Sequence, residues 1–237
     1  MEILEKKIEI LDENIACYFM GHCSHKYCNV VCPKRIKFDD FVKKSLIPED
    51  RLDSKPLYTD ADGADANSFL VLKNIEDKVA DFVNEGKNLY IFSSRVGNGK
   101  TSWALRIATR YLKTPDAIFG HMQNIPALFI SVPRYLLELK ASIAQKSEYI
   151  EHINEYAQNA SLVVWDDIGS KNGTEFEVSH LLSLIDQRIN NGKSNIYTSN
   201  LNSNELHEML GDRIYSRVFN YSLCINIVGK DKRGIKQ

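Results

Sequence analysis

The sequence predicts an α/β fold in which a five-stranded parallel sheet is flanked by helices. Short runs of strand-forming residues alternate with longer segments whose apolar residues recur at spacings of three and four. Such alternation is typical of parallel sheets that are covered on both faces. In addition, a glycine-rich loop ending in lysine follows the first of these runs and leads into a helical segment.

The elements are expected in strict alternation. The candidate strands are Asn88–Ser93, Ala127–Val132, Leu162–Trp165, Asn195–Thr198 and Leu223–Val228. The candidate helices are Leu70–Asn84, Thr101–Leu112, Arg134–Gln145, Ser147–Gln158, Glu175–Asn190 and Asn204–Val218.

Three parts are expected along the 237 residues. Residues 1–46 contain a cysteine cluster and are predicted to form a small N-terminal module. Residues 47–68 are rich in Pro, Gly, Asp and Ser in place of apolar periodicity, which indicates a linker or lead-in. Residues 69–237 form the α/β domain, which is large enough for a substantial core.

The overall charge and hydropathy of the chain limit the partners that can be expected. Thirty basic and 31 acidic residues give a formal charge of −1, so any nucleic acid must be met by a local patch. No segment reaches the roughly 18 apolar residues of a membrane span, and the N-terminus carries charges throughout. We therefore expect a cytoplasmic protein without a membrane partner.

A phosphate-binding loop is predicted at residues 93–102, SSRVGNGKTS. Gly97 and Gly99 let successive backbone N–H groups face phosphate oxygens, at the positive end of the following helix. Lys100 would reach the β- and γ-phosphates of ATP, and the Thr101 hydroxyl would bind Mg²⁺. The residues expected to contact ATP or ADP are Ser94, Arg95, Val96, Gly97, Asn98, Gly99, Lys100, Thr101, Ser102 and Asp166. Ser94 stands where the usual motif has its first glycine. The alternative is a glycine-rich turn with an incidental lysine.

An apolar strand ending in two carboxylates, LVVWDDIG at residues 162–169, is predicted to face this loop. Asp166 would hold Mg²⁺, and Asp167 would polarise the attacking water. Since Asp167 stands where glutamate is usual and is one methylene shorter, slow hydrolysis is expected. A helix-starting Asp pair is the alternative.

Three further groups are expected near the phosphates. Asn200 follows the next strand and would hydrogen-bond the γ-phosphate or the water. Arg213 and Arg217 lie four residues apart on one helix face, where a guanidinium can stabilise phosphate charge from a neighbouring subunit. The sequence GKDKR at 229–233 follows the last strand and would place a positively charged side chain near the carboxyl edge of the sheet.

In this order and spacing, the segments SRVGNGKT, VVWDDIG, YTSN, GDRIYSRV and GKDKR resemble the bacterial and phage replicative-helicase loaders of the DnaC and DnaI kind, relatives of the replication initiator ATPases and the IstB transposition helpers. The resemblance covers about residues 47–237. It implies a P-loop AAA+ ATPase without a C-terminal lid. Its catalytic residues would be Asp167, Asn200 as first sensor, Arg217 as arginine finger and Arg233 as second sensor, with Arg213 as the finger's nearest competitor.

The resemblance also implies partners: the replicative hexameric helicase, single-stranded DNA, and further copies of the chain joined through arginine-finger interfaces. The segment between the two motifs would contact DNA, with Arg134, Lys140 and Lys146 on phosphates and Tyr135 stacking on a base. An ordinary amphipathic helix with a solvated basic face explains the same residues.

The N-terminal cysteines predict a zinc site. Cys17, Cys23, Cys28 and Cys32 are closely spaced, with His25 as first substitute ligand and His22 as a weaker one. Zinc would replace a core that ~45 residues cannot supply. Four reduced structural cysteines are the alternative. By resemblance, this module would bind the helicase.

Three functions compete. The leading one is a helicase loader that hydrolyses ATP weakly and is stimulated by its partner or DNA. A transposition helper ATPase is the close alternative, and a zinc DNA-binding protein with a structural nucleotide site is a third. The paired arginines and the expected absence of a lid argue against a small-molecule kinase.

Overall fold

The computed structural model describes residues 32–52, 57, 63–114, 117, 124–169 and 173–230. The strands there are β1 (Asn88–Phe92), β2 (Ala127–Ser131), β3 (Leu162–Asp166), β4 (Ser194–Ser199) and β5 (Ser222–Asn226). The α-helices in the same residues are α1 (Pro33–Lys44), α2 (Ala66–Asp77), α3 (Val79–Asn84), α4 (Lys100–Leu112), α5 (Val132–Ala141), α6 (Glu148–Tyr156), α7 (Glu175–Asn190) and α8 (Ser203–Phe219), and a short 3₁₀ turn spans Glu49–Arg51.

The five strands form one parallel sheet in the order β2-β3-β4-β1-β5, which confirms the predicted α/β class. Consecutive residues Leu89, Tyr90 and Ile91 are all fully buried. Because side chains alternate between the faces of a strand, burial of successive residues means that both faces are covered. Both faces of β1 are therefore covered, and because the strands are parallel, the carboxyl ends of β1, β3 and β4 lie at the same edge of the sheet.

Several predicted elements were wrong at their boundaries. The helix expected at Leu70–Asn84 is two helices, α2 and α3, separated at Lys78, whose φ of −112° and ψ of 32° leave the helical region. Val132, expected at the end of a strand, begins α5 with Pro133 in its first turn. The last strand ends at Asn226 instead of Val228.

Helix α8 is kinked at Gly211. This residue has φ 75° and ψ 170°, a combination that is essentially restricted to glycine. The kink separates an N-terminal half, which begins with a capping box between Asn202 and Glu205, from the half that contains Arg213 and Arg217.

Helix α1 packs into the same core as the sheet. Phe38, Phe41 and Ile47 are buried there, and the N–H of Phe129 on edge strand β2 donates to the Ser45 carbonyl at 2.7 Å. Part of the predicted N-terminal module, residues 1–46, therefore packs against the core of the sheet. Residues 1–31 lie outside the described residues, and the module stays a prediction.

The amino ends of the strands are joined by a buried arginine. Arg188 donates to the carbonyls of Ala157 (2.5 Å), Ala160 (2.7 Å) and Ser194 (2.6 Å), and its Nε donates to Asn195 Oδ1 (2.7 Å). Burial lowers the pKa of Arg188 to about 9, which leaves the guanidinium charged at neutral pH. Arg188 thereby ties the end of α6 to the start of β4, at the end of the sheet opposite the phosphate loop.

Among the described residues, no helix is both long and apolar enough to span a membrane.

Candidate nucleotide-binding site

The predicted phosphate loop connects β1 to α4. Gly97 and Gly99 have φ of 75° and 103°, where residues other than glycine are strained. A Cβ on Gly99 would meet nothing within 4 Å, so backbone conformation, not space, requires glycine there. Helix α4 begins at Lys100 and directs its N-terminal N–H groups toward the loop. This is the geometry expected of an anion-binding loop.

The side chain of Lys100 lies across the loop. Its Nζ donates to the Arg95 carbonyl at 2.8 Å and to Asn98 Oδ1 at 3.3 Å, and the residue is only 8% exposed. A buried ammonium held over the loop is suited to binding a phosphate oxygen there.

Thr101 and Asp166 are in direct contact, although 65 residues separate them. The Thr101 hydroxyl donates to Asp166 Oδ1 at 2.8 Å, and the Thr198 hydroxyl donates to the same oxygen at 2.7 Å. Burial raises the pKa of the Asp166 carboxyl, while the hydrogen bonds from Thr198 and Thr101 oppose that rise.

These donors fit magnesium. Mg²⁺ prefers oxygen ligands and is usually bound through one or two carboxylates together with substrate phosphates. Thr101 and Asp166 offer a hydroxyl and a carboxylate beside the loop. Within the described residues, no group of three or more His, Cys, Asp or Glu could hold a metal by itself. One carboxylate and one hydroxyl beside the loop suit an ion that is bound together with nucleotide phosphates.

Asp167 and Asn200 also meet. Asn200 Nδ2 donates to Asp167 Oδ1 at 3.0 Å, and the Asp167 N–H donates to Thr198 Oγ1 at 2.9 Å. Asp167 has φ of 60°, a left-handed conformation that aspartate tolerates better than most residues. The structure brings both predicted groups beside Asp166, and their catalytic roles stay predictions.

Two residues that shape the site were not among the predicted ATP-contacting or catalytic residues, although Ser93 lies in the predicted loop. Ser93 is buried, and its Oγ accepts from the Arg95 N–H (3.1 Å) and Asn98 Nδ2 (2.6 Å), so it shapes the loop. Thr198 holds both acidic residues. Ser93 and Thr198 lie at the carboxyl ends of β1 and β4, and that position could have indicated from sequence that they belong to the site. Of the other loop residues, Ser94, Arg95 and Val96 are exposed and Ser102 is half-buried.

Arg217 is paired within its own chain. Its Nε lies 2.7 Å from Asp186 Oδ1 on α7, and its guanidinium lies 5.8 Å from the centre of the Tyr221 ring. Asp186 therefore fixes one end of the Arg217 guanidinium, while the side chain stays 36% exposed. Arg213 is exposed. The finger role of either arginine stays a prediction, and Arg233 lies outside the described residues.

The predicted stacking role of Tyr135 was wrong. Tyr135 is fully buried and its hydroxyl lies 2.5 Å from His180 Nδ1, so the ring cannot receive a base. Arg134 lies over the Tyr149 ring at 4.1 Å and Lys146 pairs with Glu151 at 2.6 Å. Arg134 and Lys140 are exposed on α5, and their contact with DNA stays a prediction.

Of the predicted zinc ligands, Cys32 alone lies among the described residues. Cys32 is half-buried at the N-terminal end of α1. The remaining predicted ligands lie outside the described residues: Cys17, Cys23, Cys28 and the alternate His25.

This chain was compared with family models and with curated proteins. The family described as IstB-like ATP binding protein matches residues 37–223. The replicative helicase loader DnaC of Escherichia coli (strain K12) is 23% identical over 129 residues, which are 54% of this chain and 49% of that protein. This chain thus spans about half the length of the curated relatives it matches.

Solved structures share the fold. A crystal structure of DnaI matches with a TM-score of 0.60 and 20% identity, covering 77% of this chain and 95% of that one. The DnaC helicase loader matches with a TM-score of 0.57 and 20% identity, over 76% of this chain and 99% of that one. The replication initiator DnaA bound to AMPPCP and single-stranded DNA matches with a TM-score of 0.58 and 15% identity, over 77% and 51% of the two chains.

Proposed function

Because the chain belongs to the family of IstB-like ATP binding proteins, we propose that it is an ATP-dependent loader of the replicative DNA helicase onto single-stranded DNA during replication initiation. The observation that carries the ATP-dependent part is the convergence of the phosphate loop with the acidic strand, joined by the Thr101–Asp166 hydrogen bond. The helicase as partner is supported by relatives that are named helicase loaders.

The site's chemistry is phosphoanhydride hydrolysis. Lys100 and the N–H groups of residues 97–101 would bind the phosphates, and Thr101 with Asp166 would hold Mg²⁺. When bound, the ion would supply positive charge that offsets the charge of the β- and γ-phosphates. Asp167 accepts a proton from the attacking water, and Asn200 fixes the Asp167 carboxylate through the 3.0 Å contact.

Hydrolysis is completed by a neighbouring copy. Arg217 reaches the phosphates of the adjacent subunit, so an isolated chain binds ATP and hydrolyses it slowly. Contact with helicase or single-stranded DNA stimulates turnover by ordering the subunits. The N-terminal residues, with their proposed zinc, provide the helicase contact.

A transposition helper is the second candidate, and the family match itself favours it, since that family is described as IstB-like. Its partner would be a transposase and its DNA would be double-stranded.

Binding to the two candidate partners separates these functions. The purified full chain is mixed with its cognate hexameric helicase, or with a transposase from the same genome, and complexes are measured by size-exclusion chromatography with ATP and with ADP. We expect a helicase complex whose amount differs between the nucleotides. Complex formation with the transposase alone would contradict helicase loading.

A further inference from the structure

The end of β5 and the residues that follow it are held from two sides. We call residues 226–229, which begin with the last residue of β5, the strap. On one side, Asp65 Oδ1 accepts the Val228 N–H and Asp65 Oδ2 accepts the Gly229 N–H, each at 2.7 Å. The Ser68 hydroxyl donates to the Asn226 carbonyl at 2.8 Å. Two residues at the start of α2 therefore fix this segment.

The phosphate loop holds the other side of the strap. Asn98 Nδ2 donates to the Ile227 carbonyl at 2.8 Å, and Arg95 Nη1 donates to the Val228 carbonyl at 3.1 Å. Asn98 is only 2% exposed, and its Oδ1 also accepts from Lys100 Nζ at 3.3 Å. A continuous hydrogen-bonded path thus leads from Asp65 through the strap to Asn98 and Lys100.

The orientation of Asp65 is informative. Asp65 immediately precedes α2, a position where aspartate usually caps the helix, yet its side chain makes no capping hydrogen bond to α2. Both carboxylate oxygens serve the strap instead, and the residue is only 5% exposed. Since carboxylate–amide hydrogen bonds are stronger than neutral ones, this is the firmest attachment the strap has to α2.

We propose that Asp65 is a positioning residue for nucleotide binding: by fixing the strap it fixes Asn98, and through Asn98 the phosphate loop and Lys100. The inference rests on the proposed nucleotide site. It extends that site to a residue that lies 35 positions before Lys100 and contacts the loop only through backbone groups of the strap.

Asp65→Asn tests the proposal. It replaces one of two acceptors by an NH₂ group that faces a backbone N–H. ATP and ADP affinities are measured by calorimetry on the full chain, with nucleotide-free thermal unfolding in parallel. Asp81→Asn, an exposed acidic change on α3, is the matched control. We expect affinity about tenfold weaker in Asp65→Asn and unchanged in Asp81→Asn.

A mutant cycle separates positioning from general stability. If Asp65 acts through Asn98, Asp65→Asn adds little to the affinity loss of Asn98→Ala, whereas residues that act independently multiply their effects. Ser68→Ala loosens the strap without disturbing a buried charge and is expected to weaken affinity about threefold even where Asp65→Asn folds poorly. The inference would be overturned if ATP affinity were unchanged in both Ser68→Ala and Asp65→Asn, or if these variants lowered only the unfolding temperature. It would also be overturned if the affinity losses of Asp65→Asn and Asn98→Ala multiplied in the double variant. Absence of binding by the parent chain would overturn the proposed nucleotide site as well.

Discussion

At the carboxyl end of the sheet, one hydroxyl organises both acidic residues. Thr198 Oγ1 donates to Asp166 Oδ1 at 2.7 Å and accepts the Asp167 N–H at 2.9 Å. A hydroxyl can do both because it carries one hydrogen and two lone pairs. The acidic pair is therefore oriented by β4 as well as by its own strand.

The raised pKa of Asp166 gives a pH prediction. A protonated carboxyl loses its attraction for Mg²⁺, so magnesium-dependent ATP affinity should fall on acidification at a pH above the ordinary aspartate range of about 3.9. Thr198→Val removes a hydrogen bond that lowers this pKa, so its affinity profile should shift toward higher pH. Calorimetry across pH checks this, and protonation of the nucleotide affects parent and variant equally. Identical midpoints in the two profiles would show that Asp166 does not control binding.

The helix pair α7–α8 fixes the position of the proposed finger. Both helices begin with a capping box, Thr174 with Glu177 and Asn202 with Glu205, which defines where each one starts. The Arg217–Asp186 ion pair joins them near their C-terminal ends. Gly211 then sets the direction of the half of α8 that contains Arg217.

Gly211→Ala should therefore destabilise the protein. The native φ and ψ are strained for alanine, and such strain costs about 1–3 kcal/mol. Chemical denaturation measures the change in unfolding free energy, with exposed Glu208→Ala on the same helix as a control expected to stay within about 0.5 kcal/mol. Equal stability of the two variants would mean that α8 straightens without cost.

Arg217 is expected to act across the subunit boundary. Arg217→Ala should lower helicase-stimulated hydrolysis by about 10³-fold or more, while ATP affinity is retained. Mixing Lys100→Ala with Arg217→Ala chains should restore part of the activity, because some interfaces then pair an intact site with an intact finger.

The ion pair with Asp186 leads to a related expectation. Asp186→Asn should also lower turnover without affecting ATP affinity, since it releases the Arg217 guanidinium from its position. Full activity of Arg217→Ala alone would refute the finger assignment and direct attention to Arg213.

At the scale of the whole molecule, the two ends of the sheet have different roles. At the amino ends, the buried Arg188 donates to the carbonyls of Ala157, Ala160 and Ser194 and so links the end of α6 to the start of β4. The carboxyl ends bring together the phosphate loop, the acidic strand and Asn200. Helix α1 packs into the same hydrophobic core, and Ser45, directly after it, accepts a hydrogen bond from the Phe129 N–H on the β2 edge.

Local patterns explain what the sequence could predict. Some features are visible in adjacent residues, and the sequence predicted them correctly. They are the polar residues at the ends of strands, the glycines at 97 and 99, and the Asp166–Asp167 pair. Pairings between distant residues leave no local pattern, which is why Asp186 with Arg217 and Asp65 with the strap were missed. Tyr135 was misassigned because amphipathic spacing does not reveal which side of α5 packs on α7.

Measuring Mg²⁺–ATP affinity in the parent chain and in Lys100→Ala tests the central claim most directly, with Lys78→Ala at the α2–α3 junction as control. Hydrogen bonds to charged groups contribute about 1.5–3 kcal/mol, so losing the Lys100 ammonium should weaken affinity by about tenfold to a hundredfold. The control should bind like the parent. Equal affinity in all three proteins would contradict an ATP site at residues 94–102.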